Sequence, residues 1–239
     1  MIYDIKGVVF MALKDTTVII AAAGSASRMK GEDKLLADLC GKSVIARTIT
    51  AFEKAPSVAE IIIVTKEKKI PQLEMIVASC GATKVSKVVA GGETRQQSVI
   101  NGLKASEAET SMIAVHDGAR PLISTELIEK TIADARVFGG ATLGVPVKDT
   151  VKVVDGGLVT DTPDRSKLYL IQTPQVFKKT LYIDGVNFAV AHELDFTDDC
   201  QLVEAVCGKI AVTTGDYSNI KITTPDDLLI ARAIFEGDD

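Results

Sequence analysis

Short, β-branched apolar runs alternating with amphipathic stretches limit most strongly how this chain can fold. Val18–Ala23, Glu60–Lys66, Lys84–Ala90, Met112–His116, Ala141–Val147 and Lys209–Thr214 read as buried strands. Between them, Ser43–Lys54 carries Val44, Ile45, Ile49 and Phe52 at helical spacing, with Pro56 closing the segment. Further helices are expected over Pro71–Ser79 with Gly81 as cap, Thr94–Ala105, Ser124–Val137 with Ser124 as N-cap, Leu181–Ala191 and Asp198–Cys207. Pro225 suits the first turn of a last helix reaching Phe235. Such alternation specifies a single α/β domain, with a mostly parallel, twisted sheet covered by helices on both faces. The chain has 239 residues, 46% of them hydrophobic, enough for one core. The domain is assigned to residues 17–239, and residues 1–16 to an N-terminal extension.

The rhythm lapses over 148–177, where two short β-like runs flank the turn Asp155-Gly156-Gly157 without a helix to cover them. A hairpin of this kind is marginal alone. The segment is therefore expected to project as a β-arm and to pack against a second subunit, making a homodimer.

Charge and composition exclude several classes. A net charge of −5 argues against non-specific binding to nucleic acid or acidic membrane, so a basic site must be local. No eighteen-residue apolar stretch is present, and no basic start with an apolar signal core opens the chain. These features point to a cytoplasmic protein. Its four cysteines form no C-x-x-C pair and lie far in sequence from the two histidines, which argues against a zinc site.

The first strand runs into Gly24-Ser25-Ala26-Ser27, whose small residues let backbone N–H groups converge on phosphate oxygens. Arg28 and Lys34 end that loop and could hold a polyphosphate from two sides; a surface loop with two solvated cations is the plainer reading. The stretch lacks the Gly-Lys-Ser/Thr of a P-loop, and Gly24, Ala26 and Met29 do not make the three-glycine dinucleotide fingerprint. In open α/β sheets ligands sit at the carboxyl ends of the strands, where Asp117 could hold Mg²⁺ beside a polyphosphate or simply cap a turn. His116 fits structural hydrogen bonding better than catalysis. Gly91-Gly92 reads equally as a close approach to a flat base or as an ordinary turn. Arg165 and Lys221 read as surface cations, and Thr197 as an N-cap in FTDD.

The stretch AAAGSASRM with Lys34 resembles the signature loop of the sugar-phosphate nucleotidyltransferases, a Rossmann-like superfamily. GGETRQQSV, HDGARP, PVKDTVK, TPDRSKLYLIQTPQ and NIKITTPDDL together resemble the 2-C-methyl-D-erythritol 4-phosphate cytidylyltransferases of the non-mevalonate isoprenoid pathway, across Thr17–Phe235. The resemblance implies transfer of CMP from CTP to a polyol phosphate, 2-C-methyl-D-erythritol 4-phosphate, with release of pyrophosphate. It implies that Arg28 and Lys34 are catalytic, with Mg²⁺ on Asp117. Ala22, Ala23, Gly24, Ser25, Gly92, Glu93, Ser98 and Gly118 would bind the nucleotide. Arg165, contributed by the arm of a neighbouring subunit, would hold the polyol phosphate with Thr197 and Lys221. This sequence departs from many members in having Asp33 and Leu35 beside the lysine, in place of Pro and Gln. A related ribitol-5-phosphate cytidylyltransferase shares the arm and the SNIKITT-like end, but AAAG and HDGARP favour the isoprenoid enzyme.

Overall fold

The computed structural model describes residues 13–24 and 33–237, and the backbone of 2–5 and 8–11. Ile2–Ile5 (β1) pairs antiparallel with Val8–Met11 (β2), so the expected extension carries a hairpin. The domain then runs through Thr16–Ala21 (β3), the small hairpin Asp38–Leu39 (β4) and Lys42–Ser43 (β5), Val44–Lys54 (α1) and Val58–Thr65 (β6). Ile70–Cys80 (α2), Val85–Ala90 (β7), Arg95–Ala105 (α3), Met112–Asp117 (β8), Thr125–Phe138 (α4) and Gly140–Pro146 (β9) follow. The arm hairpin Val153–Asp155 (β10) and Leu158–Asp161 (β11) precedes Tyr169–Lys178 (β12), Lys179–Ala191 (α5), Asp199–Glu204 (α6), Ala211–Thr214 (β13) and Pro225–Gly237 (α7).

Among the described residues one seven-stranded sheet forms, in the order β13-β9-β12-β8-β3-β6-β7. All neighbours are parallel except β12, which runs antiparallel to both β8 and β9. Side chains two apart on a strand share a face, and the core divides accordingly. Val18, Ile20, Ile61 and Ile63 pack on one face with Ile45, Ile49 and Phe52 of α1, Ile128 and Ile132 of α4, and Ala231 of α7. Ile19, Ile62, Val64, Ile113 and Val115 pack on the other with Val99 of α3, Tyr182 and Val186 of α5, and Leu202 of α6. Both faces being covered explains why the strands read as continuous apolar runs.

The ends of the helices obey local chemistry. Ser43, Thr94 and Ser124 cap α1, α3 and α4 by accepting N–H groups two or three residues on, and Gly81 takes the left-handed conformation after α2. Two expectations need correction. The segment 148–177 does not project throughout, because Tyr169–Lys178 supplies polar Gln172, Thr173 and Gln175 with Val176 and Phe177 to the middle of the sheet. Only the hairpin β10–β11 stands out, turning at Gly156-Gly157 with positive φ at both. The helix expected over Asp198–Cys207 is shorter, and its N-cap is Asp198, not Thr197. The Asp198 carboxylate accepts the N–H groups of Cys200 and Gln201, whereas the Thr197 hydroxyl meets Gln201 Oε1.

Away from the carboxyl ends of the strands, Glu60 is a buried carboxylate fully used as an acceptor. It takes the hydroxyls of Thr17, Ser86 and Ser106 at 3.1, 2.8 and 2.8 Å, and the N–H groups of Glu107 and Ala108. Burial raises its pKa, but these donors outweigh burial and leave the group below the ordinary value of 4.5. A depressed folded-state pKa stabilises the fold above the unfolded-state value and ceases to do so as pH falls through the folded one. Glu60→Gln should therefore lower stability at neutral pH by about 1–3 kcal/mol. In thermal denaturation scanned downward from pH 5, its gap to the parent should narrow.

Candidate active site

The strand order reverses between β3 and β8: the chain moves from β3 outward through β6 and β7, then returns to the other side of β3. Ligand clefts of open α/β sheets form at such a point. A cleft of about 550 Å³ opens there, lined by Ala21–Gly24, Lys34, Thr65–Glu67, Gly91–Arg95, Ser98, Asp117 and Lys221. Its walls are the segments that leave β3, β6, β7 and β8, plus the turn before α7.

Asp117 closes β8 opposite Ala21 and is the electrostatic centre of this cleft. Lys221 Nζ lies 2.8 Å from its Oδ2, Arg120 Nε 3.8 Å from the same oxygen, and Arg95 Nε 3.9 Å from Oδ1. Burial alone would raise its pKa, but Lys221, Arg95 and Arg120 overcome that and hold the carboxyl below its usual value. With Asp199 pairing Arg95 from behind, the cluster sets three cations against two carboxylates, and Lys34 adds a further cation to the cleft. The backbone beneath is fixed by Thr173 of β12, whose hydroxyl accepts the Asp117 N–H at 3.0 Å and meets His116 Nδ1 at 3.1 Å. His116 Nε2 faces the Arg120 carbonyl at 3.2 Å. Burial pushes His116 down to about 3, so it stays neutral and serves as a bracket, as its place in the sequence suggested.

On the opposite wall, backbone approaches closely. The Ser98 hydroxyl accepts the Gly92 N–H at 3.1 Å and donates to the Thr94 carbonyl at 2.8 Å. A Cβ on Gly91 would lie 2.7 Å from Ser98 Oγ and 2.9 Å from Ala23 Cβ, so only glycine lets these strands' ends meet. Gly24 has open space around it. Lys34 sits between Asp33, which accepts the Leu35 N–H and pairs with Lys69, and Leu35, whose side chain enters the core.

With this geometry in view, comparison with known proteins decides the family. A family model described as 2-C-methyl-D-erythritol 4-phosphate cytidylyltransferase matches residues 16–237. The chain belongs to this family. It is 42% identical over 225 residues to the enzyme of that name from Geotalea uraniireducens, covering 92% of this chain and 97% of that one. It is 41% identical over 222 residues to the Bacillus licheniformis enzyme of the same name, covering 92% and 96%. Among solved structures, 4-diphosphocytidyl-2C-methyl-D-erythritol synthase from Anaerococcus prevotii superposes with a TM-score of 0.82 at 34% identity, covering 93% of this chain and 99% of that one. The 2-C-methyl-D-erythritol 4-phosphate cytidylyltransferase of Thermus thermophilus gives 0.78 at 30%, with the same coverage. The protein is accordingly a nucleotidyltransferase.

Of the residues singled out in the sequence, Ala22, Ala23, Gly24, Lys34, Gly92, Glu93, Ser98, Asp117 and Lys221 line this one cleft. Ser25 and Arg28 lie outside the described residues. Gly118 stands behind the lining; its N–H bonds Ala21 O at 3.0 Å, and a Cβ there would lie 2.9 Å from Ile45 Cδ1. Arg165, at the end of the arm, donates to the Lys148 carbonyl at 2.7 Å and is not in the cleft of its own chain. Thr197 is exposed on the α6 side and also outside the lining. Sequence reasoning placed Arg95 at a strand end without a role and passed over Thr173; the partners of both are distant in the chain.

The two glycines predict contrasting variants. Gly91→Ala must displace Ser98 or Ala23 and should cost about 1–3 kcal/mol. Gly24→Ala should stay within about 0.5 kcal/mol. Denaturant unfolding of the two proteins checks both.

Proposed function

We propose that this cleft transfers CMP from CTP to 2-C-methyl-D-erythritol 4-phosphate, giving 4-diphosphocytidyl-2-C-methyl-D-erythritol and pyrophosphate, in the non-mevalonate route to isoprenoid precursors. The observation that carries the reading is the excess of cations at the switch point, gathered around Asp117 and facing small-residue backbone at Ala22–Gly24. The acceptor's phosphate oxygen attacks the α-phosphorus of CTP, a new P–O bond forms, and the bond to the β,γ-pyrophosphate breaks. No protein nucleophile is needed, so the chain's task is positioning and charge stabilisation. Lys34, with Arg28, neutralises charge on the triphosphate as the bond order at phosphorus changes. Ala22, Ala23, Gly92, Glu93 and Ser98 form the nucleobase wall, where backbone groups and the close approach at Gly91 suit a small pyrimidine. Lys221 holds the acceptor phosphate, with Thr197 at the edge and Arg165 arriving from a partner subunit.

A magnesium or other divalent cation fits here in one specific way. Among the described residues no cluster of three or more histidine, cysteine or acidic side chains could hold a metal alone. Asp117 Oδ1, however, borders the cleft and has Arg95 at 3.9 Å, beyond hydrogen-bond range. One carboxylate together with substrate phosphates is the usual way Mg²⁺ is held. Bound there, the ion would neutralise phosphate charge and help align the triphosphate.

The arm supports a homodimer. Val154, Leu158 and Val159 are 56–74% exposed, and Tyr169, Leu170 and Ile171 extend the apolar surface toward the sheet. A second copy covering this surface would carry Arg165 away from its own cleft and into its neighbour's. The four cysteines are free, and no described helix is long and apolar enough to cross a membrane, which suits a reducing cytoplasmic setting.

Purified protein with Mg²⁺ should release pyrophosphate from CTP only when 2-C-methyl-D-erythritol 4-phosphate is supplied, with UTP, ATP and ribitol 5-phosphate poor replacements. Lys34→Ala should lower kcat by about 10²–10³; unchanged turnover would remove Lys34 from the chemistry. Leu158→Asp should convert the dimer to monomer in sedimentation analysis and abolish turnover together with it, whereas a dimer that persists would place the interface elsewhere.

A further inference from the structure

The carboxylate of Asp199 is 1% exposed and lies on the helix-covered face of the sheet, outside the cleft lining. It accepts the Tyr182 hydroxyl at 2.7 Å, its backbone N–H is held by Gln175 Oε1 at 3.1 Å, and its Oδ2 lies 2.6 Å from Arg95 Nη1. Arg95 occupies the first position of α3, where the helix dipole disfavours a cation. Burial opposes its charge as well, yet Asp199 and Asp117 more than compensate and strengthen its hold on the proton. A buried ion pair is poor value for stability, since apolar replacements of similar size often do as well. The pair does, however, reach the site, because the same guanidinium turns its Nε toward Asp117 Oδ1 and lines the cleft.

We propose that Asp199 and Arg95 form a positioning unit for the transfer reaction: Asp199 fixes the guanidinium from behind and keeps its Nε 3.9 Å from Asp117 Oδ1, so that Arg95 lends positive charge to that side of the carboxylate without closing on it. Lys221 engages Oδ2 at 2.8 Å, whereas Arg95 faces Oδ1 from 3.9 Å, so one carboxylate oxygen is tied and the other is left open toward the substrate side. Without the Asp199 anchor, the long Arg95 side chain is free to swing into the cleft and close on Asp117 directly, covering the oxygen that the substrate side requires. The sequence places Asp117 and Arg95 near strand ends, but it does not reveal that Asp199, at the start of α6, supplies the anchor. This inference rests on the cytidylyltransferase reading of the cleft.

The test uses the full-length protein and four variants, of which Arg95→Met alone serves as the reference for loss of the guanidinium. Asp199→Asn keeps an acceptor for Tyr182 and removes the charge. Arg95→Met with Asp199→Asn removes both charges and leaves no buried ion alone. Arg95→Lys keeps the charge without the two-sided reach of the guanidinium. Steady-state kinetics, calorimetric binding of CTP with Mg²⁺, and thermal denaturation are measured on each. Asp199→Asn is expected to lower kcat at least tenfold with KM for the acceptor within twofold. The double variant should melt within a few degrees of the parent, yet turn over no faster than Arg95→Met alone, because the two residues act as a unit. Arg95→Lys should recover part of the loss. CTP affinity with Mg²⁺ should weaken in step with kcat. Unchanged kcat and CTP binding in Asp199→Asn would overturn the inference, as would losses in all variants that merely track the fraction folded. If Asp199→Asn does not fold, the double variant decides on the same criteria. Parent protein inactive with CTP and the acceptor would instead defeat the functional reading itself.

Discussion

One carboxylate held among three cations governs this structure's functional end. Asp117 could not be 13% exposed and charged without Lys221, Arg95 and Arg120, and those three could not stand so close together without Asp117. Each arrives from a different segment: α3, the turn after β8, and the strand-like stretch before α7. The sheet is what makes the meeting possible, since β8 and β3 are adjacent at the point where the strand order turns back. A positive cleft within a chain of net charge −5 is thereby confined to one place, which favours a small polyanion over a nucleic acid.

The arrangement is stiff where chemistry needs it to be. The antiparallel strand β12 interrupts the parallel sheet and brings Thr173 beneath Asp117, Gln175 beside Asp198 and Asp199, and Gln172 to Asn219. Buried polar residues on a central strand would be costly without partners. Here Thr173 fastens the end of β8, Gln172 the stretch before α7 and Gln175 the start of α6, so a strand that looks like part of the arm in sequence underlies the site. The Glu60 network does the corresponding task at the opposite end of the sheet, tying β3, β6, β7 and the segment after α3.

The sequence discloses its periodic parts well. Buried runs such as Ile61–Val64 and helix caps such as Ser43, Thr94 and Ser124 are local facts, set by neighbours within a few positions. Lys34, Asp117 and the small residues at Ala22–Gly24 were legible because strand ends converge in an open sheet. Three things were hidden. Tyr169–Lys178 places polar Gln172, Thr173 and Gln175 between two apolar runs, and their partners lie far away in the chain, so it resembled an exposed arm. Thr197 looked like the cap of α6, but Asp198 reaches two N–H groups and displaces it. Arg95 lines the cleft beside Asp117 and is backed by Asp199, which is distant in the chain, so its surroundings could not be read locally.

The central claim is that the cleft between β3 and β8 receives the triphosphate of CTP. A crystal structure of the protein with CTP and Mg²⁺ tests it most directly. The account predicts phosphate oxygens against the backbone of Ala23–Gly24 and the Lys34 ammonium, with the metal on Asp117 Oδ1 and the cytosine beside Gly92 and Ser98. Density for the nucleotide at any other surface, with the cleft beside Lys34 and Asp117 empty, would contradict it.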